Sequence, residues 1–160
     1  MRAGGVNIDS GVLYLAAIDS QGPGLGVPVA IVQPKLIPHP DLTGAEALQD
    51  LTERVRQELE APGVKAVGLV ETRGFYGLQY KHVYPRVVGM CAVMAACTTL
   101  GVTYETLKTE KIGRRVGRPA SELKTVDPNA FGFTKSPTYW TTGLAEAYAA
   151  AAAMLAEIQQ

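Results

Sequence analysis

The sequence predicts an α/β fold, with a five-stranded mixed sheet flanked by helices, in a single domain that spans residues 1–160. Three observations support this prediction. The chain opens with a pattern typical of an antiparallel hairpin. A long amphipathic helix pattern then leads into an apolar strand, as in a crossover between parallel strands. Finally, 160 residues with 47% hydrophobic content are enough to bury one core.

The first hairpin covers residues 5–19. Its first strand is short and apolar and ends on Asp9, and Ser10-Gly11 supplies a tight turn because glycine tolerates a left-handed backbone. The second strand, residues 12–18, has enough apolar bulk to lie inside a sheet. We expect a third strand over residues 27–34, followed by a loop that contains three prolines.

A helix is predicted from Asp41 to Glu60, because its apolar residues recur at helical spacing. Residues 64–71 follow as the strongest strand pattern in the chain, ending on Glu71. Since a helix links this strand to the hairpin, we expect it to lie parallel to and beside the first strand.

The second half of the chain alternates further helices and strands. Pro85 is typical of a first helical turn, so we expect a buried apolar helix over residues 85–100. A fifth strand is predicted at 102–107, and a basic region at 108–136 with at most a short helix near 121–126. The last predicted helix spans 143–159, with Thr141 or Thr142 as its N-cap.

Charge and cysteine content narrow the class of protein. The formal net charge is zero, but residues 41–60 are mainly acidic and residues 108–135 mainly basic, which indicates one positively charged face. Cys91 and Cys97 lack metal-ligand spacing and are interpreted as reduced core thiols. We find no signal peptide and no run long enough to span a bilayer, so we expect a cytoplasmic protein.

Three carboxylates stand at positions that the predicted fold would bring together. Asp9 and Glu71 end two neighbouring strands, and Glu146 lies in the first turn of the last helix. Clustered acids repel one another unless a cation neutralises them, and Mg²⁺ prefers oxygen ligands. Each acid also has a simpler interpretation. Asp9 could bond the turn, Glu71 could pair with Arg73 or Lys65, and Glu146 could favour the helix dipole.

Three sequence features resemble the RuvC family of Holliday-junction resolvases, in the RNase H-like nuclease superfamily. Ile8-Asp9-Ser10-Gly11 is similar to the family's Ile-Asp-Pro-Gly at its first catalytic strand. Glu71 matches a strand-end glutamate that is followed by a loop with a phenylalanine, here Phe75. Glu146 resembles the last acid of the family's helical Asp-x-x-Asp motif, whose first aspartate falls on Gly143. One of the family's four acids is therefore missing.

The resemblance implies an RNase H-like fold and a Mg²⁺-dependent endodeoxyribonuclease, with Mn²⁺ as a substitute, that cleaves branched DNA in recombination and repair. Asp9, Glu71 and Glu146 would be its catalytic residues and metal ligands. A homodimer through the helix 86–100 is expected, and no membrane partner. The residues expected to bind DNA are aromatic or basic: Arg73, Phe75, Tyr76, Lys81, Lys108, Lys111, Arg114, Arg115 and Arg118.

Two other functions stay open at this point. The missing acid at Gly143 is compatible with a catalytically weak or inactive nuclease-like fold that binds nucleic acid without cutting it, and Gly143→Asp is then expected to raise metal affinity or activity. An RNA:DNA-hybrid nuclease is less favoured, because Glu71 lies on a strand and not on a helix. Phe75 and Tyr76 could stack on bases or fill a dimer interface, and the basic cluster could be a solvated loop.

Overall fold

The computed structural model of the protein describes residues 1–22, 24–71, 77 and 79–159. Its strands are β1 (Arg2–Asp9), β2 (Val12–Asp19), β3 (Val27–Pro28), β4 (Lys35–Leu36), β5 (Ala66–Val70) and β6 (Thr103–Leu107). Its α-helices are α1 (Gly44–Glu60), α2 (Tyr80–Leu100), α3 (Thr109–Val116) and α4 (Ala145–Ile158). Two 3₁₀ helices, Ala120–Thr125 and Pro128–Phe131, and a π-helical turn, Trp140–Leu144, lead into α4.

The strands form one mixed sheet in the order β3-β2-β1-β5-β6, with β4 also beside β2. Strand β1 is central, antiparallel to β2 and parallel to β5. Ser10 and Gly11 both have positive φ, 51° and 77°, as a two-residue turn of type I′ requires. The α/β class, the hairpin and the parallel neighbour of the first strand are therefore confirmed.

The sheet has six strands and not five, because only Val27–Pro28 of the predicted third strand is a strand and a further short strand, Lys35–Leu36, lies in the predicted proline loop. Pro28 pairs with Ile18, and Lys35 pairs with Tyr14. Between these two pairs the chain advances by seven residues, whereas β2 advances by only four. The surplus residues bulge out of the sheet, and Val32 is 83% exposed. The two prolines that flank the bulge, Pro28 and Pro34, cannot donate ladder hydrogen bonds, which favours the interruption here.

Helices α2, α3 and α4 differ from the helices that the sequence predicts. Helix α2 begins at Tyr80, five residues before Pro85, which therefore lies inside the helix. Helix α3 forms in a segment expected to be irregular, and it ends at Gly117 in a left-handed conformation. Helix α4 begins at Ala145 without a side-chain cap, so neither Thr141 nor Thr142 caps it.

Helices cover both faces of the sheet and enclose two apolar cores. Helices α1 and α2 pack against the face that carries Val6, Ile8 and Leu69. Helix α4, with α3 and the 3₁₀ segments outside it, covers the opposite face. Every residue of α4 from Ala145 to Leu155 is buried, so this helix is the centre of the second core.

Two glycines on adjacent strands allow α4 to lie unusually close to the sheet. Gly5 of β1 is paired with Gly68 of β5. A Cβ on Gly5 would lie 1.8 Å from the Ala147 carbonyl oxygen, and one on Gly68 would lie 3.0 Å from the Ala150 carbonyl oxygen. The backbone of α4 therefore occupies the space that side chains at these two strand positions would fill.

The two cysteines occupy different environments. Cys97 is buried, and burial raises the pKa of its thiol to about 11. Cys91 is exposed, so the expectation that both are core thiols is correct only for Cys97.

Helix α2 is only partly covered. Within the described part of the chain it is the one helix long and apolar enough to cross a membrane, by length and composition alone, with a mean hydropathy of 1.4. The expectation that no run is long enough to span a bilayer is wrong by this criterion. Such a match is weak evidence, because core helices of soluble proteins also meet the criterion. One side of α2 packs on the sheet and α1, as expected, and its other side is exposed in the single chain, where the expected burial against a partner subunit stays a prediction.

Substituting Gly5 tests the close approach of α4. We expect Gly5→Ala to lower the free energy of unfolding by about 1–3 kcal/mol or more, because the added methyl group must displace backbone atoms of α4. Gly4→Ala is the matched control, since its Cβ would meet the flexible end of Leu59 at 3.2 Å on the other face. Urea unfolding monitored by circular dichroism measures both, and equal losses would contradict this packing argument.

Candidate active site

The ends of β1 and β5 bring two of the predicted acids to one edge of the sheet. The parallel register places Val6 opposite Leu69, so Asp9 and Glu71 both lie just beyond the paired region. The backbone N–H of Glu71 donates to the Leu107 carbonyl at 2.7 Å, which fixes this residue at the end of β5. The predicted meeting of the two strand ends is therefore found.

By side-chain alternation, Asp9 and Glu71 belong to different faces of the sheet. Gly5, Asn7 and Asp9 alternate on the face that α4 covers, since Gly5 contacts α4. Leu69 belongs to the opposite core, so Glu71, two residues later, continues on that face beyond the end of β5. Asp9 and Glu71 thus approach the edge from opposite sides of the sheet.

Asn7 links β1 to the start of α4. Its Nδ2 donates to the Gly143 carbonyl at 3.1 Å and to Glu146 Oε1 at 3.4 Å, and both contacts are buried. Asn7 and Glu146 are only 6% and 9% exposed, the two polar residues in the core among those described. Sequence reasoning missed Asn7, although a polar residue two positions before Asp9 shares its strand face.

The π-helical turn before α4 is held by aromatic residues. Trp140 is buried, and its Nε1 donates to the Val126 carbonyl at 2.7 Å. The Tyr139 carbonyl accepts from the N–H groups of both Gly143 and Leu144. These contacts set the direction in which α4 leaves the turn, and with it the position of Glu146.

All three predicted acids line one cleft of about 510 Å³ at this edge. Its strand wall contains Asn7, Asp9 and Glu71, and α4 contributes Glu146. The cleft is also lined by Thr109, Ala120, Ser121 and Lys124, and by Arg86, which donates to the Ile8 carbonyl of β1 at 3.3 Å. Arg86 and Lys124 were not among the predicted site residues, and no spacing in the sequence relates them to the acids.

Asp9 and Glu71 form no ion pair with any residue that the structure describes. Asp9 is exposed and accepts a hydrogen bond only from its neighbour, Ser10 Oγ, at 3.4 Å. The simpler interpretation of Glu71 as a partner of Lys65 is not supported among these residues, and Arg73 lies outside them. Two carboxylates thus face the cleft without a compensating cation from the described part of the chain.

The charge of Asp9 affects two neighbouring groups. Burial lowers the pKa of the Arg86 guanidinium, and the Asp9 carboxylate opposes that shift. Burial, and then Asp9, raise the pKa of Tyr14, which lies next to Asn7 across the hairpin. The neighbourhood of Asp9 is therefore partly desolvated, and the Asp9 carboxylate interacts electrostatically with Arg86 and Tyr14.

The donor atoms fit a hard divalent cation in kind but do not form a ready-made cage. Carboxylates of three residues line the cleft, yet within residues 1–22, 24–71, 77 and 79–159 no group of three or more acidic, His or Cys side chains is placed to hold one ion. Mg²⁺ usually binds one or two carboxylates together with waters and substrate phosphates. A pair is sufficient, and the three-ligand set stays a prediction.

The predicted DNA-binding residues fall into four groups, of which Lys111 and Arg115 form the last. Arg73, Phe75 and Tyr76 lie outside the described residues. Lys81 lies in a second cleft beside Asp9. Lys108 and Arg114 are exposed on the α3 side of the molecule, and Arg118 is half-buried there.

Lys111 and Arg115 are committed to ion pairs. Both bind Glu105, and Arg115 also binds Glu157 at 2.6 Å. Burial opposes ionisation of Glu105, but hydrogen bonds from Lys111 and Arg115 still hold the pKa of Glu105 below its ordinary value. Arg115 is only 12% exposed, so its guanidinium is less accessible to a phosphate than that of Arg114.

Gly143, where the family's fourth acid would fall, has no room for a side chain. A Cβ there would lie 2.7 Å from Cδ2 of Tyr14 and 3.2 Å from Nδ2 of Asn7. The Tyr14 ring therefore occupies the space of the missing aspartate. The expectation that Gly143→Asp alone restores an acid to the site is not supported by this packing.

The structure has a RuvC-like fold of the RNase H-like fold class. It is a mixed sheet with one acid at the end of its central strand and a second at the end of the parallel neighbour. A third acid lies on the helix that covers the sheet. The chain is similar in structure to Thermus thermophilus RuvC, with a TM-score of 0.79, 17% identity and coverage of 99% of this chain and 96% of that one. It is also similar to T. thermophilus RuvC in complex with a Holliday junction substrate, with a TM-score of 0.76, 16% identity and coverage of 99% and 95%.

No protein-family model and no curated protein sequence matches the chain. At 16–17% identity the two structural likenesses establish the fold, which is RuvC-like over nearly the whole chain. The expected resemblance and fold class are confirmed.

A double-mutant cycle tests the packing at Gly143. We expect Gly143→Asp to destabilise the protein, and Gly143→Ala to do so as well, because the first added carbon already meets the Tyr14 ring. In the Tyr14→Ala background the same changes should be better tolerated, with a favourable coupling of about 0.5–3 kcal/mol. Urea unfolding of the single and double variants measures this, and strict additivity would show that Tyr14 does not occupy that space.

Proposed function

We propose that the protein is a metal-dependent endonuclease that cleaves branched DNA, such as a Holliday junction, by phosphodiester hydrolysis. The observation that carries the proposal is the cleft in which Asp9, Glu71 and Glu146 meet without an ion pair to Asp9 or Glu71 from the described residues. Support also comes from the RuvC-like fold and from the relative of that fold whose structure contains a Holliday junction.

In this proposal Asp9 and Glu71 hold the divalent cation, Mg²⁺ or Mn²⁺, and Glu146 completes the acidic wall. When bound, such an ion lowers the pKa of a coordinated water and polarises a phosphoryl oxygen. Asn7 keeps the Glu146 carboxylate in place through its 3.4 Å hydrogen bond. Lys124 and Arg86, which also line the cleft, supply positive charge for the phosphodiester.

A second candidate function is binding of branched DNA without cleavage. It is favoured by the Tyr14 ring at the position of the missing acid and by the lack, among the described residues, of a preformed group of three metal-binding side chains. Cleavage and metal binding separate the two candidates, since a non-cutting scaffold has no need of a cation.

Removing the charge of the acids tests catalysis. Asp9→Asn and Glu71→Gln should abolish nicking of a labelled four-way junction in Mg²⁺ or Mn²⁺, because an amide is a poor ligand for either ion. Junction binding in EDTA should persist or tighten, since a negative charge that faces phosphate is lost. Gel assays of nicking and binding measure both effects.

Glu46→Gln is the matched control, because Glu46 is an exposed acid on α1, on the other side of the sheet. It should nick like the wild type. A folded wild-type protein that binds junctions but leaves them intact at every metal concentration would favour the second candidate.

We also propose that the protein acts as a homodimer through α2, since two-fold symmetry would present two clefts to the two strands of a junction. Exposed residues recur along α2 at spacings of four and three, the pattern of a coiled-coil seam. Tyr80 is 76% exposed and Met94 is 48% exposed. The seam consists of Tyr80, Tyr84, Val87, Cys91, Met94 and Thr98.

A charge in the middle of this seam should prevent association. We expect Val87→Asp to convert a dimer into a monomer in sedimentation velocity, because an isologous interface would bury two copies of the new carboxylate. Gln49→Asp, an exposed change on α1, should leave the dimer intact. A wild-type protein that stays monomeric at all concentrations would refute the dimer while leaving the nuclease proposal in place.

A further inference from the structure

A second cleft, of about 330 Å³, lies on the other side of Asp9 from the acidic cleft. The two clefts share Asp9 and Arg86, so they are contiguous around these residues. The second cleft is lined by Asp9, Ser10, Gly11, Lys81, His82, Pro85 and Arg86. The fixed charges of the second cleft are two basic side chains and one acid, whereas the first cleft has three acids and two basic side chains.

The framework of the second cleft is well defined. The hairpin turn rests on helix α2, because a Cβ on Gly11 would lie 2.9 Å from Cβ of Pro85. Gly11 also has a φ of 77°, so glycine is favoured there for both space and conformation. Lys81 and His82 belong to the first turn of α2, which has no acidic residue.

Arg86 is held in this framework with most of its donors unused. Its Nη2 donates to the Ile8 carbonyl at 3.3 Å. Its Nε is the one buried side-chain polar atom, among the described residues, that has no hydrogen-bond partner. Arg86 also forms no ion pair within 4.0 Å with Asp9. A partly buried guanidinium with so few partners is stabilised when an anion accepts its remaining N–H groups.

We propose that the second cleft binds the non-bridging oxygens of a nucleic-acid backbone phosphate, one adjacent to the phosphate that lies in the acidic cleft. This proposal rests on the proposed nuclease function, because it assumes that a strand crosses the edge where Asp9 and Glu71 meet. Arg86 supplies the paired donors, and Lys81 supplies the second positive charge. His82 adds a ring N–H donor.

The charge balance of the second cleft favours an anion. Its one acid is Asp9, against the fixed charges of Arg86 and Lys81. The negative charge of Asp9 is also shared with the acidic cleft, where a divalent cation is proposed to bind. An oxyanion in the second cleft therefore meets a net positive surface on the side of α2.

Inorganic phosphate is the first probe, because it tests the cleft without depending on DNA. We expect a titration of the ¹⁵N-labelled protein with phosphate, at constant ionic strength, to shift the amide signals of Ser10, Gly11, Lys81 and His82. Arg86→Met should lose these shifts. Lys81→Ala should weaken these shifts. Because Lys81 is exposed, this variant still tests the cleft if Arg86→Met does not fold.

Junction DNA in EDTA is the second probe, and it distinguishes a backbone phosphate from free phosphate. Arg86→Met and Lys81→Ala should each reduce the slope of log affinity against log salt by about one. Arg86→Met should also weaken binding roughly tenfold or more, the loss expected when a charge-assisted hydrogen bond is removed. Lys65→Ala is the control, since Lys65 is exposed at the opposite end of β5.

The outcomes are separable. Absence of phosphate shifts at the four amides in the wild type would overturn the subsite, even in an active nuclease. Phosphate shifts with unchanged salt slopes would overturn the assignment to a backbone phosphate. Phosphate shifts that Arg86→Met removes, in a protein that never nicks a junction, would support the anion site while the nuclease proposal fails.

Discussion

The contact between α4 and the paired glycines Gly5 and Gly68 is the constraint on which the rest of the structure depends. It lets helix backbone pack directly on strand backbone, so α4 can have alanine at seven of its first nine positions and still be buried along all nine. The close approach sets the height of α4 above the sheet. That height decides whether Glu146 reaches Asn7, and therefore whether the third acid belongs to the cleft.

Asn7 connects β1 to the turn before α4 and to the Glu146 carboxylate by hydrogen bonds. Its amide group spans the gap between a strand and the turn before α4, donating both to a backbone carbonyl and to a carboxylate. A buried carboxylate needs such donors, because desolvation otherwise disfavours its charged form. The same polar residue thus stabilises the turn at Gly143 and orients Glu146, two functions that an apolar residue in β1 could not provide.

The sequence was informative wherever a local pattern and a topological rule agreed. Asp9 and Glu71 could be assigned to one edge because strand ends and a crossover helix define it. Gly143 and Tyr14 show the limit: they are 129 residues apart, and the ring that fills the place of an acid is visible only after the hairpin and the turn have packed together. Arg86 and Lys124 were missed for the same reason, since nothing in their spacing relates them to β1.

Helix α2 has a second consequence. One side of it places Arg86 beneath the Ile8 carbonyl and supports the hairpin turn through Pro85, while its other side presents Val87 and Cys91 to solvent. A partner that covers the exposed side of α2 also restrains the helix that carries Arg86, which lines both clefts. If the protein forms the proposed homodimer through α2, self-association and the geometry of both clefts would be thermodynamically linked, so the proposed cleavage activity would depend on protein concentration.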